Sequence, residues 1–271
     1  MTKPVLGAAM TVAEIGRHRD WLFERDRDLE LQDFLMPMIL DGDWRGLVAA
    51  ARRKLDGWNG RLNVHGPFYD LPLDATDPLV REVVRTRLGQ GIAAAEALGA
   101  DLMVVHSPYS TWAANNDFLD WGGEAERIER VVETLAPVVA RAEAAGVTLA
   151  IENIEDKDAA GRLGLVEALG SAAVAVSLDT GHAHYAHVST GGRPVDWHVL
   201  GAGARLAHVH LQDADGHADR HWPPGMGTVP WAPLFAALAE HAPEARLILE
   251  LRDGDRIEQG AAHLVALGLA E

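Results

Sequence analysis

Cysteine is absent from all 271 residues. That absence excludes disulfides, thiolate metal sites and thiol nucleophiles together, and it fits a reducing compartment. Lysine is nearly absent too, occurring only as Lys3, Lys54 and Lys157. None of the three lies in a strand-like segment, which disfavours Schiff-base chemistry on a buried lysine. Positive charge is scarce overall: 24 basic against 40 acidic residues leave a formal charge of −16. A field of that sign repels nucleic acid and anionic membranes. Long apolar runs are missing, and the opening MTKPVLGAAM has no basic region leading into an apolar stretch. Neither a membrane span nor a secretory leader is expected. These absences point to a soluble cytoplasmic protein without nucleic-acid or membrane partners.

What the chain does have is alternation. Short β-rich runs (VLGAAM, LELQDF, LNVHGPF, LMVVHSP, TLAIEN, AVSLDT, LAHVHLQ and LILEL) are separated by segments of helical periodicity. Among the latter are WRGLVAAARRKLDGW, DPLVREVVRTRLGQGIAAAEALGA and GGEAERIERVVETLAPVVARAEAAG, the last two ending in glycine-containing stop signals. Eight strand–helix units without a linker or composition break predict one (β/α)8 TIM barrel spanning residues 1–271. The GAGA at 201–204 precedes a strand, whereas a dinucleotide fingerprint follows one. No phosphate loop and no Gly-x-Ser-x-Gly elbow occurs. The EDKD run at 155–158 reads as a solvated loop.

Metal-capable side chains recur at the ends of six consecutive strands: His65, His106, Glu152, Asp179, His210 and Glu250. In a barrel those ends converge on one mouth, where active sites are built. Each alone has an ordinary reading, since strand-end histidines are commonly hydrogen-bonded and Asp179 can cap the helix after it. Glu152 and Glu250 resist that reading. Each follows a continuous apolar run, where an unpaired buried carboxylate is costly. The stretch HVHLQDADGHADRH, residues 208–221, adds four histidines and three aspartates in fourteen positions. His182 stands three residues after Asp179, and Asp219 and His221 form an Asp-Arg-His triplet beyond the seventh strand. Oxygen and imidazole donors without thiolate suit zinc, manganese, iron or cobalt. His208 is expected to pack one layer deeper in the barrel, and His184, His187 and His217 to lie on the surface or at helix starts.

The motifs AIEN, SLDTGHAH, HVHLQD, DRHWPPGMG and LILEL in combination resemble the xylose isomerase-like TIM barrels, which include sugar phosphate isomerases and epimerases and endonuclease IV. The resemblance covers nearly the whole chain. In the ketose 3-epimerases and inosose isomerases of that family, one divalent metal is held by a Glu, Asp, His, Glu set. That set corresponds to Glu152, Asp179, His210 and Glu250. The resemblance implies that the two glutamates exchange protons with the sugar and that His182 contacts substrate. Endonuclease IV uses the same four positions and five more around three zinc ions, corresponding to His65, His106, His182, Asp219 and His221. Two features depart from these patterns. The epimerases carry a substrate-binding arginine six residues after the histidine matching His210, where this chain has Gly216, and Arg220 is the nearby candidate to replace it. Endonuclease IV needs basic loops, and this chain is acidic.

The leading expectation is therefore a divalent-metal-dependent isomerase or epimerase of a sugar or polyol, phosphorylated or not. One essential ion is expected, with up to three accommodated. Glu152 and Glu250 would move protons. Tyr109, Trp112 and Trp222, with His182 and Arg220, would contact the carbohydrate. A homo-oligomer is compatible with this reading. Two alternatives remain open: a multinuclear zinc phosphoester hydrolase of the endonuclease IV type, and a metal-binding barrel without catalysis.

Overall fold

A computed structural model of the chain describes residues 3–116 and 123–271; Gly122, the first residue of the third helical run quoted above, lies outside them. Eight parallel strands form a closed barrel in sequence order. They are β1 (Gly7–Met10), β2 (Leu29–Leu31), β3 (Leu62–His65), β4 (Leu102–His106), β5 (Thr148–Glu152), β6 (Val174–Asp179), β7 (Leu206–Leu211) and β8 (Arg246–Leu249). Pairing of β1 with β8 closes the ring. Helices over Trp44–Lys54, Pro78–Leu98, Gly123–Ala145, Ala160–Leu169, Thr180–Thr190, Val195–Ala202, Trp231–His241 and Ile257–Ala266 surround it. No helix among the described residues is long and apolar enough to cross a membrane.

Local chemistry explains these elements. The helix at Pro78 starts with the Asp77 side chain accepting from Leu79 N at 2.8 Å and with proline in its first turn. It stops at Gly99, whose φ of 80° is one that glycine adopts without steric cost. Strand residues alternate between two faces. The outward face of β2 carries Leu29 and Leu31, which join the apolar layer beneath the helices. The inward face carries Glu30, buried completely. The lumen holds the same mixture elsewhere: Asn63, Ser177, His208 and Arg246 are buried beside Val104 and Ala150. The lower end is tied by Arg246, whose Nη1 and Nη2 each donate to Asp101 at 2.7 Å.

The register of the strands assembles the mouth. His106 lies opposite Glu152, and Asp179 lies opposite His210. Leu211 pairs with Leu249, so Glu250 emerges one residue beyond the end of β8, where Glu250 N donates to Leu211 O at 3.2 Å.

One expectation needs correction here. Asp156, in the run read as solvated, is buried against Arg162, with Oδ1 3.1 Å from Nε. Arg162 is itself fully buried and donates to Ser177 O, to Asn153 Oδ1 at 3.2 Å and to His198 Nδ1 at 3.0 Å. Burial, reinforced by the guanidinium, pushes His198 down to about 3, which keeps it neutral as an acceptor. Arg162→Leu would strand the buried Asp156 carboxylate, a defect that costs about 3–5 kcal/mol when a buried pair is broken. The expected result is a clear drop in the thermal unfolding midpoint. Burial already raises the Asp156 carboxyl above its ordinary value. Stability tied to a raised carboxyl is present at low pH and lost as pH rises through the folded value. The deficit of Arg162→Leu should therefore narrow on mild acidification. A midpoint equal to that of the parent chain would remove this pair from the fold's stability.

Candidate metal centre

Glu152, Asp179, His210 and Glu250 are all buried, and each offers a ligand atom within 4.8 Å of the others. His210 Nδ1 lies 3.0 Å from Glu152 Oε1 and 3.4 Å from Glu250 Oε2. Gln32 Nε2 donates to Glu250 Oε1 at 2.6 Å and fixes that carboxylate. Asp179 both caps and converges on the cluster. Its Oδ1 accepts from His182 N at 2.7 Å as the cap of the helix at 180, while its buried Oδ2 has no hydrogen-bond partner among the described residues. Glu152 Oε2 is likewise buried without one.

Asn153 sets the backbone of Asp179. Its Oδ1 accepts from Asp179 N at 2.9 Å and its Nδ2 donates to Asp179 O at 3.0 Å. The Arg162 contact holds that amide in turn. Asn153 thus positions the cluster without joining it.

Two further groups adjoin the first. His65, His106 and Glu152 form one, and His182, Asp219 and His221 form another. His65 Nε2 and His106 Nε2 lie 3.8 and 3.7 Å from Glu152 Oε2. Asp219 Oδ1 is 3.4 Å from His182 Nε2 and 3.1 Å from His221 Nε2. Three histidines of these groups share one arrangement beside backbone carbonyls. His65 Nδ1 meets Gly66 O at 2.9 Å, His182 Nδ1 meets Asn153 O at 2.9 Å, and His221 Nδ1 meets Glu250 O at 3.2 Å. A carbonyl can only accept, so each Nδ1 carries a proton and Nε2 is the nitrogen left to face the site. Anchoring of this kind is what metal-ligating histidines require.

The loop after β7 is pinned to make this possible. Buried Asp213 accepts from Gly225 N at 2.8 Å and Val229 N at 3.0 Å. Gln212 Nε2 donates to Asp179 Oδ1 at 3.1 Å and to Asp219 Oδ1 at 2.9 Å, while its Oε1 accepts from His221 N at 2.9 Å. His221 adopts a φ of 49°, uncommon outside glycine, a strain of the kind that concentrates at functional sites.

Electrostatics favour a cation. Burial pushes the Asp179 carboxyl up to about 6 against the pull of His182, and Glu152 and Glu250 add to the rise. Burial opposes charge on His221, yet Asp219 and Glu250 outweigh it and raise that imidazole to about 9. Burial lowers His106 to about 3, leaving it neutral. Three carboxylates crowded in a low-dielectric site with two orphaned oxygens fit a divalent ion, and the nitrogen and oxygen donors fit zinc, manganese, iron or cobalt.

A cavity of about 510 Å³ opens above these groups, lined by Gln32, Phe68, Tyr69, His106, His182 and Arg252 among others. Among the described residues its phenyl walls are Phe68 and Tyr69. Tyr109, Trp112 and Trp222, expected as sugar contacts, lie outside the lining. Tyr109 donates its hydroxyl to Gly161 O at 2.9 Å, Trp112 is largely exposed, and Trp222 exchanges backbone hydrogen bonds with Asp213. Arg220 is also outside, paired through Nη2 with Asp215 Oδ2 at 2.8 Å. The guanidinium at the cavity is that of Arg252. Gly216 leaves no room for an arginine: its φ is 78°, and a Cβ there would sit 2.5 Å from Val188. His208 is buried as expected and His187 and His217 are exposed, but His184 is buried and bonded to Thr228 Oγ1 at 2.8 Å.

A Thermus thermophilus protein, solved after soaking with ZnCl2, superposes with a TM-score of 0.75 over 97% of both chains at 28% identity. The D-psicose 3-epimerase of Ruminiclostridium cellulolyticum is 26% identical over 193 residues, covering 69% of this chain and 61% of that one. An uncharacterised Methanocaldococcus jannaschii protein is 26% identical over 195 residues, 68% of this chain and 62% of its own length. The chain thus aligns with less than two thirds of the length of these two relatives. The family description that matches residues 28–267 is that of the xylose isomerase-like TIM barrel, and this chain belongs to that family.

Proposed function

We propose that this chain is a divalent-metal-dependent isomerase or epimerase acting on a sugar or polyol. The observation that carries the reading is the buried Glu152, Asp179, His210, Glu250 cluster under a cavity of about 510 Å³, a volume in the range of small-molecule sites. Likeness to a D-psicose 3-epimerase supports the same class of reaction. In this reading Glu152, Asp179, His210 and Glu250 hold the ion. When bound, it supplies positive charge to a substrate carbonyl and adjacent hydroxyl, which acidifies the intervening C–H and stabilises an enediolate.

The chain's own groups do the rest. One of Glu152 and Glu250 takes the proton and the other returns it to the opposite face. They leave the barrel from β5 and β8, on different sides of the mouth. Gln32 steadies Glu250, His210 steadies Glu152, and Phe68 and Tyr69 offer apolar surface to a sugar ring. Incubation of the metal-loaded chain with a panel of ketoses, polyol ketones and their phosphate esters tests this. An epimer or isomer should form, disappear after chelation and return on adding metal. No conversion of any member would count against the reading.

A second reading, a multinuclear phosphoester hydrolase, is favoured by one observation: the His65, His106, Glu152 and His182, Asp219, His221 groups are also assembled. The charge of −16 opposes DNA as its substrate. The two readings separate by metal count. With one essential ion, Asp219→Asn and His221→Gln keep a tightly held ion, and they lower the count only where zinc excess has filled further positions. Under the hydrolase reading each replacement removes an ion from native protein and abolishes ester cleavage.

A further inference from the structure

Glu30 lies in the lumen below the mouth, and nothing in the mechanism above uses it. The alternation of Leu29, Glu30 and Leu31 sends the carboxylate into the barrel lumen, where it is fully buried. A carboxylate there needs strong partners. It has one hydrogen-bonded partner and one neighbouring imidazole, both from β7 (Leu206–Leu211). Oε1 lies 2.8 Å from His210 Nε2, and Oε2 lies 3.1 Å from His208 Nε2. His208 is held in turn by Ser177, whose Oγ is 2.9 Å from Nδ1. Glu30, His208 and His210 could be taken for an ion site of their own. The 2.8 Å contact is instead the length of a charge-assisted hydrogen bond between the groups themselves.

His65, His182 and His221 rest their Nδ1–H on backbone carbonyls. His210 differs twice: it is anchored through Nε2, and on a carboxylate. An ionised carboxylate only accepts, so His210 Nε2 carries a proton toward Glu30. Nδ1 is the nitrogen that faces the cluster, 3.0 Å from Glu152 Oε1 and 3.4 Å from Glu250 Oε2. Without an ion Nδ1 meets Glu152 Oε1 as a hydrogen bond, and an ion held by the cluster would take the place of that proton. We propose that Glu30 is a positioning residue for the metal centre: it holds His210 as the Nε2–H tautomer, presents Nδ1 as the ligand and strengthens that nitrogen as a donor. This rests on the reading that His210 is a ligand. His208, held by Ser177, places its ring beside the second oxygen of Glu30.

The test measures zinc affinity of the full chain by competition with a chromophoric chelator, independently of any substrate. Glu30→Leu should weaken zinc binding by about tenfold to a hundredfold, the usual effect of losing a partner behind a ligand. Glu30→Gln should lose less, since its amide oxygen still accepts from Nε2–H while its NH2 can donate to His208. It also carries the test if the leucine variant does not fold. His210→Gln should bind zinc weakly, and adding Glu30→Gln to it should cause no further loss. A purely structural role predicts additive losses in that double variant, and additivity would overturn the proposal. Wild-type affinity in both Glu30 variants, with His210→Gln impaired, would overturn it too while leaving the metal reading intact. Wild-type affinity in His210→Gln would overturn both.

Discussion

Asp179→Ala should emerge from purification without the tightly bound divalent ion that the parent chain retains, and Glu250→Ala should do the same. Asp179 supplies a buried oxygen that no described residue satisfies, and Glu250 is held by Gln32 with its other oxygen turned toward His210. Removing either leaves an incomplete donor set around the remaining carboxylates. The loss of affinity should exceed the tenfold to roughly hundredfold typical of outer contacts. Asp179→Ala also removes a helix cap, at a cost of about 1 kcal/mol. Asp179→Asn separates the effects, because the amide oxygen can still accept from His182 N while the ligand charge is gone. Metal content by elemental analysis, read beside the unfolding midpoint, checks this. Full occupancy in Asp179→Ala and Glu250→Ala would remove these residues from the centre.

The second large effect concerns the proton. In deuterated water, the parent chain and its substrate should incorporate deuterium at the carbon beside the carbonyl. Glu152→Gln and Glu250→Gln should lower that exchange by about a hundredfold or more, the contribution typical of a positioned base. An amide preserves the shape of each side chain but cannot take up a proton at neutral pH. The measurement is made at metal concentrations that saturate each variant, so that reduced affinity is not mistaken for lost chemistry. Exchange at the parent rate in both variants would take the glutamates out of proton transfer.

The barrel was legible because its strands are short apolar runs punctuated by glycine-stopped helices, and the convergent strand ends followed from that topology. Glu250 illustrates the limit of boundaries: it lies just past β8, yet its neighbour's pairing still delivers it to the mouth. Glu30 escaped notice for a physical reason. Leucine, glutamate, leucine reads as a strand with one wet face, but in a closed barrel the second face is a buried lumen that tolerates charge only when partnered. Asp156 was hidden in the same way, since its partner Arg162 stands in an otherwise apolar helix. Loop side chains were the least legible. Arg220 and Trp222 depend on how the chain folds back onto Asp213 and Asp215, and Phe68 and Tyr69 reach the cavity from a turn without periodic pattern.

The central claim is that this mouth moves protons on carbohydrate carbon and does not cleave phosphate esters. One preparation of the metal-loaded parent chain can test it directly. It would be incubated in deuterated water with the ketose and polyol panel, and separately with a phosphodiester and an abasic-site oligonucleotide. The account predicts deuterium beside the carbonyl of at least one carbohydrate and no ester cleavage. Enzymatic ester cleavage without carbohydrate exchange, from a chain holding three ions, would contradict it.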